Sequence, residues 1–100
     1  MSLFVLMTRL APGSLHDAAG RRATGKEWLN KVKAACPEVK FQAHYALLGQ
    51  YDFMDIYEAP DVETAAKVAL ISRSEGAVTA DSWPAMSYDK FLGILEQVKP

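Results

Sequence analysis

The feature that most constrains this chain is a pair of alternating segments folded back on each other between Val39 and Ala59, VKFQAHYALLGQYDFMDIYEA. On the way in, Phe41, Ala43, Tyr45 and Leu47 alternate with Lys40, Gln42, His44 and Ala46; on the way out, Met54 and Ile56 alternate with Phe53, Asp55 and Tyr57. A period of two marks strands, because successive side chains leave a pleated strand on opposite faces. The turn lies at Leu48-Gly49-Gln50-Tyr51. A loop of two residues (Gly49, Gln50) or of four (Leu48 to Tyr51) gives the same register, with His44 opposite Asp55 and Gln42 opposite Tyr57. A loop of three would break it. Gly49 is expected to open the turn with a positive φ, a conformation that glycine adopts without strain.

The flanking segments supply the rest of a fold. Leu3 to Leu10 is apolar at nearly every position, which suits a central strand, and Pro12-Gly13 ends it. Gly20 and Gly25 weaken any helix before Thr24, so Ala11 to Ala23 reads as a loop with at most one helical turn from Ser14. Thr24-Gly25-Lys26-Glu27 has the form of a capping box, and a helix runs from it to about Cys36 with Trp28, Leu29, Val32, Ala35 and Cys36 on one stripe. Pro37 stops it. Asp61 caps a second helix whose stripe of small residues, Ala65, Ala66 and Ala69 among them, lets it lie close to a sheet; Gly76 ends it. Ala77 to Trp83 alternates as a strand, and Pro84 suits an edge position. Ser87 caps a last helix with Tyr88, Phe91, Leu92, Leu95 and Val98 on one face.

The order βαββαβ plus a terminal helix predicts one domain over residues 1–100 of α+β class. Right-handed crossovers and short loops make it a ferredoxin-like, antiparallel four-stranded sheet with the first and third strands central and both main helices on one face. The other face is expected to carry His44, Gln42, Phe53, Asp55, Tyr57, Thr79, Asp81 and Trp83. Several of these are large and apolar, and a monomer seldom leaves such a patch in water. A second copy packed face to face is the expected cover.

Charge and cysteine content narrow the function. With 11 basic and 12 acidic side chains the net charge is −1, so there is no broad field to draw nucleic acid or an anionic membrane, and neither is an expected partner. The single cysteine, Cys36, excludes an internal disulfide framework and suits a reducing compartment. The short apolar run of MSLFVLMTRLAPG has no basic residues before it and ends at Arg9, so no signal peptide or membrane span is read there and a cytoplasmic location is expected. No zinc spacing and no phosphate-cradling glycine loop is present, and no cofactor or metal is expected.

The constellation that carries chemistry is His44 opposite Asp55. A carboxylate beside an imidazole fixes its tautomer and raises its basicity, as general-base chemistry requires. Tyr57, Gln42 and Trp83 are expected around the same space. The plain alternative is a hydrogen-bonded polar pair within a dimer interface. Arg21 and Arg22, with His16 and Asp17 nearby, could fold over a pocket to hold an anion or simply be solvated. Cys36 and Trp28 read as core. Three functions stay open: a barrel binding a small organic ligand between sheet and helices or between sheets, a structural or regulatory protein with a filled barrel, and a cofactor-free monooxygenase or isomerase-like enzyme.

Through Leu48-Gly49-Gln50-Tyr51-Asp52, followed by Glu58-Ala59-Pro60-Asp61 at the head of a helix, the chain resembles the GYD domain family, named for the Gly, Tyr and Asp found here at Gly49, Tyr51 and Asp52. The resemblance runs from about Val39 to Thr79. It implies a ferredoxin-like chain that pairs into a dimeric α+β barrel, and it brings no catalytic residue with it because the family is functionally uncharacterised. Tyr51 and Asp52 become site candidates on that ground, beside a turn role in which Asp accepts backbone amides and Tyr packs over the hairpin end.

Overall fold

A computed structural model describes residues 1–14 and 17–99; His16 lies outside the described residues. The elements are β1 (Ser2–Leu10), α1 (Ala18–Ala35), β2 (Lys40–Ala46), β3 (Phe53–Ala59), α2 (Val62–Ser74), β4 (Ala77–Ala85) and α3 (Tyr88–Val98). The strands form one four-stranded sheet in the order β2-β3-β1-β4, with every neighbour antiparallel. This is the expected ferredoxin-like α+β fold. Helices α1 and α2 share a core with the sheet, where Val32 of α1, Cys36 at its C-cap, and Ala65 and Val68 of α2 meet Phe4, Leu6, Tyr57 and Ala59.

The hairpin takes the four-residue loop. The Leu47 N–H donates to the Asp52 carbonyl at 2.8 Å, and His44 stands opposite Asp55. Two details of the expected turn are corrected. Gly49 does not have a positive φ; among the described residues only Gly13 and Gly76 do. A longer loop spreads the reversal over several residues, so none has to be left-handed. Gln42 does not pair with Tyr57, because a bulge lies between Phe41 and Ala43 and puts Phe41 opposite Tyr57. The extra residue turns Phe41 to the helix-covered side, where its ring lies 5.4 Å from Trp28 and 5.7 Å from Tyr57.

The bulge goes with a larger correction, the assignment of faces. His44, Phe53, Asp55 and Tyr57 lie on the helix-covered face, level with Phe4, Leu6 and Thr8 of β1. The open face carries Leu3, Val5 and Met7, their neighbours Met54 and Ile56, and Tyr45, together with Asp81 and Trp83 of β4 as expected. Alternation separates two faces without saying which one the helices cover. Here the fold satisfies the polar residues under the helices and leaves the apolar set outside.

Helix α1 also begins earlier than the glycines suggest. Asp17, with extended backbone, is its N-cap and accepts from the Gly20 N–H. A Cβ at position 20 would stand 2.9 Å from the Asp17 carboxylate, so this glycine gives the cap its room. Thr24 is not a cap: it sits inside the helix, and its hydroxyl donates to the Gly20 carbonyl at 3.0 Å. The caps of α2 and α3 are Asp61 and Ser87, as read from sequence. Among the described residues, helix α3 packs against no other element and has no buried residue, leaving Tyr88, Phe91, Leu92, Ile94, Leu95 and Val98 in contact with solvent.

The two glycines at element ends make opposite demands. Gly76, with φ 102°, is left-handed just past α2, and Gly76→Ala is expected to destabilise the fold by about 1 kcal/mol. Gly49 has ordinary φ and open space around a built Cβ, so Gly49→Ala is expected to leave stability unchanged or slightly raised. Urea midpoints of the two variants check both; a larger loss at position 49 would contradict this turn geometry.

Candidate ligand pocket between helix α1 and the sheet

Helix α1 is fastened at its C-terminal half and stands off the sheet at its N-terminal half. Val32 is its buried residue. The Trp28 indole N–H donates to the Ser72 hydroxyl of α2 at 2.8 Å, and Lys31 forms an ion pair with Glu75 at the α2 C-cap. Between Ala18 and Gly25 no α1 residue is buried, and a half-open cavity of about 670 Å³ lies under this part of the helix. Its floor is sheet: Thr8 and Leu10 of β1, Phe53 and Asp55 of β3, Phe41 and His44 of β2. Its roof includes Arg21, Thr24, Gly25, Trp28 and Leu29 of α1, and Ser72, Glu75 and Ala77 close one side.

At the floor, His44 Nδ1 is hydrogen bonded to Asp55 Oδ1. The carboxylate is buried, with 4% of its side chain exposed, while the imidazole is 59% exposed. Burial pushes the Asp55 carboxyl pKa up, and the charge and hydrogen bond of His44 pull it partly back. With the carboxylate ionised, Nδ1 carries the proton and Nε2 offers its lone pair. The His44 ring stacks on Phe53 at 5.5 Å and 19°, and the Arg21 guanidinium carbon lies 5.3 Å from the centre of the same Phe53 ring. Arg22 and Lys26 add positive charge to the lining.

The other expected site residues go elsewhere. Tyr57 is fully buried core, its ring 5.7 Å from that of Phe4 and its hydroxyl 2.9 Å from the Ser82 hydroxyl; burial raises its pKa, the bond to Ser82 offsetting part of the rise. Gln42 sits exposed at the bulge. Trp83 and Tyr51 meet edge to face at 6.0 Å on the open side, where the Tyr51 hydroxyl donates to Asp81 at 3.3 Å. Asp52 ties the hairpin to β1: its N–H donates to the Thr8 carbonyl at 2.8 Å, and its carboxylate accepts from the Leu10 N–H at 2.7 Å. None of these five lines the cavity, whereas His44 and Asp55 do. Arg21 and Arg22 line it as well, from a helix rather than the expected loop.

Trp28 packs against the core as read from sequence and is also a wall of the cavity, with Leu29 and Thr24. The sequence carries a signal for them: Arg21 and Thr24 continue one helical stripe backwards from Trp28, and the two glycines mask that helix. Among the described residues no group of three or more His, Cys, Asp or Glu is placed to hold a metal ion, and no helix is long and apolar enough to cross a membrane.

The profile of the GYD domain family matches residues 4–95. The chain belongs to the GYD domain family. A comparison with curated proteins finds no significant match. Among solved structures, the GYD chain is similar to 5-chloro-2-hydroxyhydroquinone dehydrochlorinase from Burkholderia phenoliruptrix AC1100 in complex with 2,5-dihydroxybenzoquinone, with TM-score 0.61 and 17% identity over 88% of this chain and 97% of that one. It is also similar to FFRP-DM1, with TM-score 0.54 and 19% identity over 86% of this chain and 100% of that one. A hypothetical protein from Pyrococcus horikoshii matches at TM-score 0.54 and 19% identity, over 87% and 92% of the two chains. At these identities the likeness concerns the fold.

The Asp55–His44 bond sets a direction for titration. His44→Ala removes the charge and hydrogen bond that lower the Asp55 pKa, so the carboxyl is expected to titrate higher still than in the wild type. Between the ordinary carboxylate pKa and the raised one, the folded state binds more protons than the unfolded state. The contribution of Asp55 to stability therefore falls as pH rises through that window, and Asp55→Asn should lack the slope. Carbon NMR of the Asp55 carboxyl against pH checks the first expectation; an unchanged midpoint in His44→Ala would show that the two groups are not coupled.

Proposed function

We propose that this GYD domain protein is a homodimeric α+β barrel whose pocket under α1 binds a small, planar organic anion. The cavity carries the reading: aromatic walls from Phe41, Phe53 and Trp28, a convergent polar pair at the floor, and Arg21, Arg22 and Lys26 in the lining. Ligand sites combine apolar walls with a few fixed polar groups in this way, and guanidinium groups suit carboxylate or phenolate oxygens. The dehydrochlorinase of similar fold, in complex with 2,5-dihydroxybenzoquinone, supports the choice of a flat, acidic ring compound.

Two apolar surfaces support the dimer. The open sheet face exposes Tyr45 and Trp83, at 54% and 47%, around half-buried Val5, Met54 and Ile56. Helix α3 presents its own apolar face with no other element against it among the described residues. A second copy placed sheet to sheet covers the first surface and gives α3 something to lie on. A stable interface of this kind buries at least ~1,200 Å².

Light scattering is expected to give twice the 11.0 kDa chain mass, and Ile56→Glu, which places a charge at the centre of the interface, should give the monomer. A monomeric wild type at micromolar concentration would sink the dimer. For the pocket, calorimetry with 2,5-dihydroxybenzoquinone should show binding that Thr24→Trp abolishes by filling the cavity. Arg21→Gln should weaken it about tenfold, the loss of one hydrogen bond to a charged partner. Equal affinity in all three proteins would place the ligand elsewhere.

A further inference from the structure

Resting on the pocket reading above, we propose that the cavity is a cofactor-independent keto–enol isomerase site for a small aromatic 2-oxo acid, with His44 Nε2 as the group that moves the proton and Asp55 as its positioning residue. The first support is the unequal exposure of the pair. The carboxylate is buried while the imidazole, held by Nδ1, lines the open cavity. Among the described residues Nε2 has no partner within the chain, so its lone pair is left for whatever occupies the space.

The hydroxyls of the lining narrow the chemistry. The Ser72 hydroxyl accepts from Trp28 and donates to the Val68 carbonyl at 3.0 Å, and the Thr24 hydroxyl donates to the Gly20 carbonyl. Neither is bonded to His44, and Cys36, buried in the core, is not in the lining. A hydroxyl or thiol activated by the imidazole is the signature of nucleophilic catalysis, and among the described residues no hydroxyl or thiol, that of Thr8 on the floor included, is hydrogen bonded to His44. An oriented base with an open face and no nucleophile beside it suits proton transfer at carbon.

The rest of the pocket selects what presents that proton. The Phe53 ring stacks on the imidazole and lies 5.3 Å from the Arg21 guanidinium carbon, so base and cation border the same aromatic ring of the cavity. A 2-oxo acid offers a carboxylate to the cation and an acidic C3–H to the base, while an aryl group on C3 meets Phe41 and Trp28. Nε2 takes the C3 proton; the C–H electron pair becomes the C2–C3 double bond, and the carbonyl π pair moves to oxygen. The enolate lies beside the guanidinium charge, and the imidazolium lies beside the Asp55 carboxylate. Nε2–H then returns the proton to the enolate oxygen, giving the enol, or to C3. No atom is gained or lost and no oxidant or reductant is needed.

The probe is phenylpyruvate in D2O, with loss of the C3–H signal followed by proton NMR and binding followed separately by calorimetry. The wild-type protein is expected to exchange C3–H about 100-fold faster than His44→Gln, with affinity for the probe retained in the variant. Free imidazole should restore part of the exchange to His44→Ala. Asp55→Asn should lower kcat for exchange while leaving KM in place, a split that loss of packing alone would not produce. Wild type and His44→Gln exchanging alike while both bind the probe would overturn the isomerase and leave the ligand reading standing. A protein that binds 2,5-dihydroxybenzoquinone but not phenylpyruvate would overturn the substrate class, and one that binds neither would overturn the pocket reading with it.

Discussion

A carboxylate with 4% of its side chain exposed sits on a central strand of the sheet, and much of this structure is arranged around that fact. Burying a charge without a partner is costly, and the cost is met when the carboxylate is paired and hydrogen bonded. The partner is His44 on the adjacent strand, so the pairing of β2 with β3 has to be held in register. The four-residue loop sets that register. Asp52, just after the loop, extends the order to β1 through its bonds to Thr8 and Leu10. Helix α1 leaves the imidazole uncovered because its buried contacts lie further along, at Val32, and because Gly20 and Gly25 bring no side chain to its first turns.

The two faces of the sheet divide the work. Under the helices, polar groups are satisfied pairwise: Asp55 by His44, Tyr57 by Ser82, Trp28 by Ser72. Outside, Leu3, Val5, Met54, Ile56 and Tyr45 make an apolar patch, bordered on β4 by Asp81, which accepts from Tyr51. A chain of 100 residues has limited interior to offer, and this one spends part of it on a cavity of about 670 Å³. In the proposed dimer, a second copy over the outer face would recover apolar burial that the cavity gives up. Helix α3, amphipathic and packed against no other element among the described residues, would be covered in the same way.

The sequence made the element order, the sheet topology, the His44–Asp55 pairing and the caps at Asp61 and Ser87 legible, because each rests on local patterning or on short-range register. Three things were hidden. The start of α1 was hidden because glycine propensity speaks for a loop, whereas Gly20 is there to make room for the Asp17 cap. The bulge at Gln42 was hidden because an inserted residue changes no composition and only shifts the phase, moving Phe41 to the side of Tyr57. The choice of covered face was hidden because β1 is apolar on both sides and so gives no vote. Tyr57, Gln42, Trp83, Tyr51 and Asp52 were grouped with His44 by that face assignment or by the motif, and the structure disperses them. The pocket itself needed the stand-off of α1, a tertiary distance that no periodicity records.

One strand therefore answers to both surfaces. Along β3, Phe53, Asp55 and Tyr57 point to the helices while Met54 and Ile56 point to the open side. With a side-chain period of two, a slip of one residue would exchange the sets, placing Asp55 on the apolar open face and Met54 at the pocket floor. Either error is costly alone: a carboxylate without its imidazole on an apolar face, or a cavity without its polar pair. The register is thus held by the His44–Asp55 bond under the helices. Contacts that fasten β3, such as Asp52 on β1, serve the pocket and the open face through the same backbone.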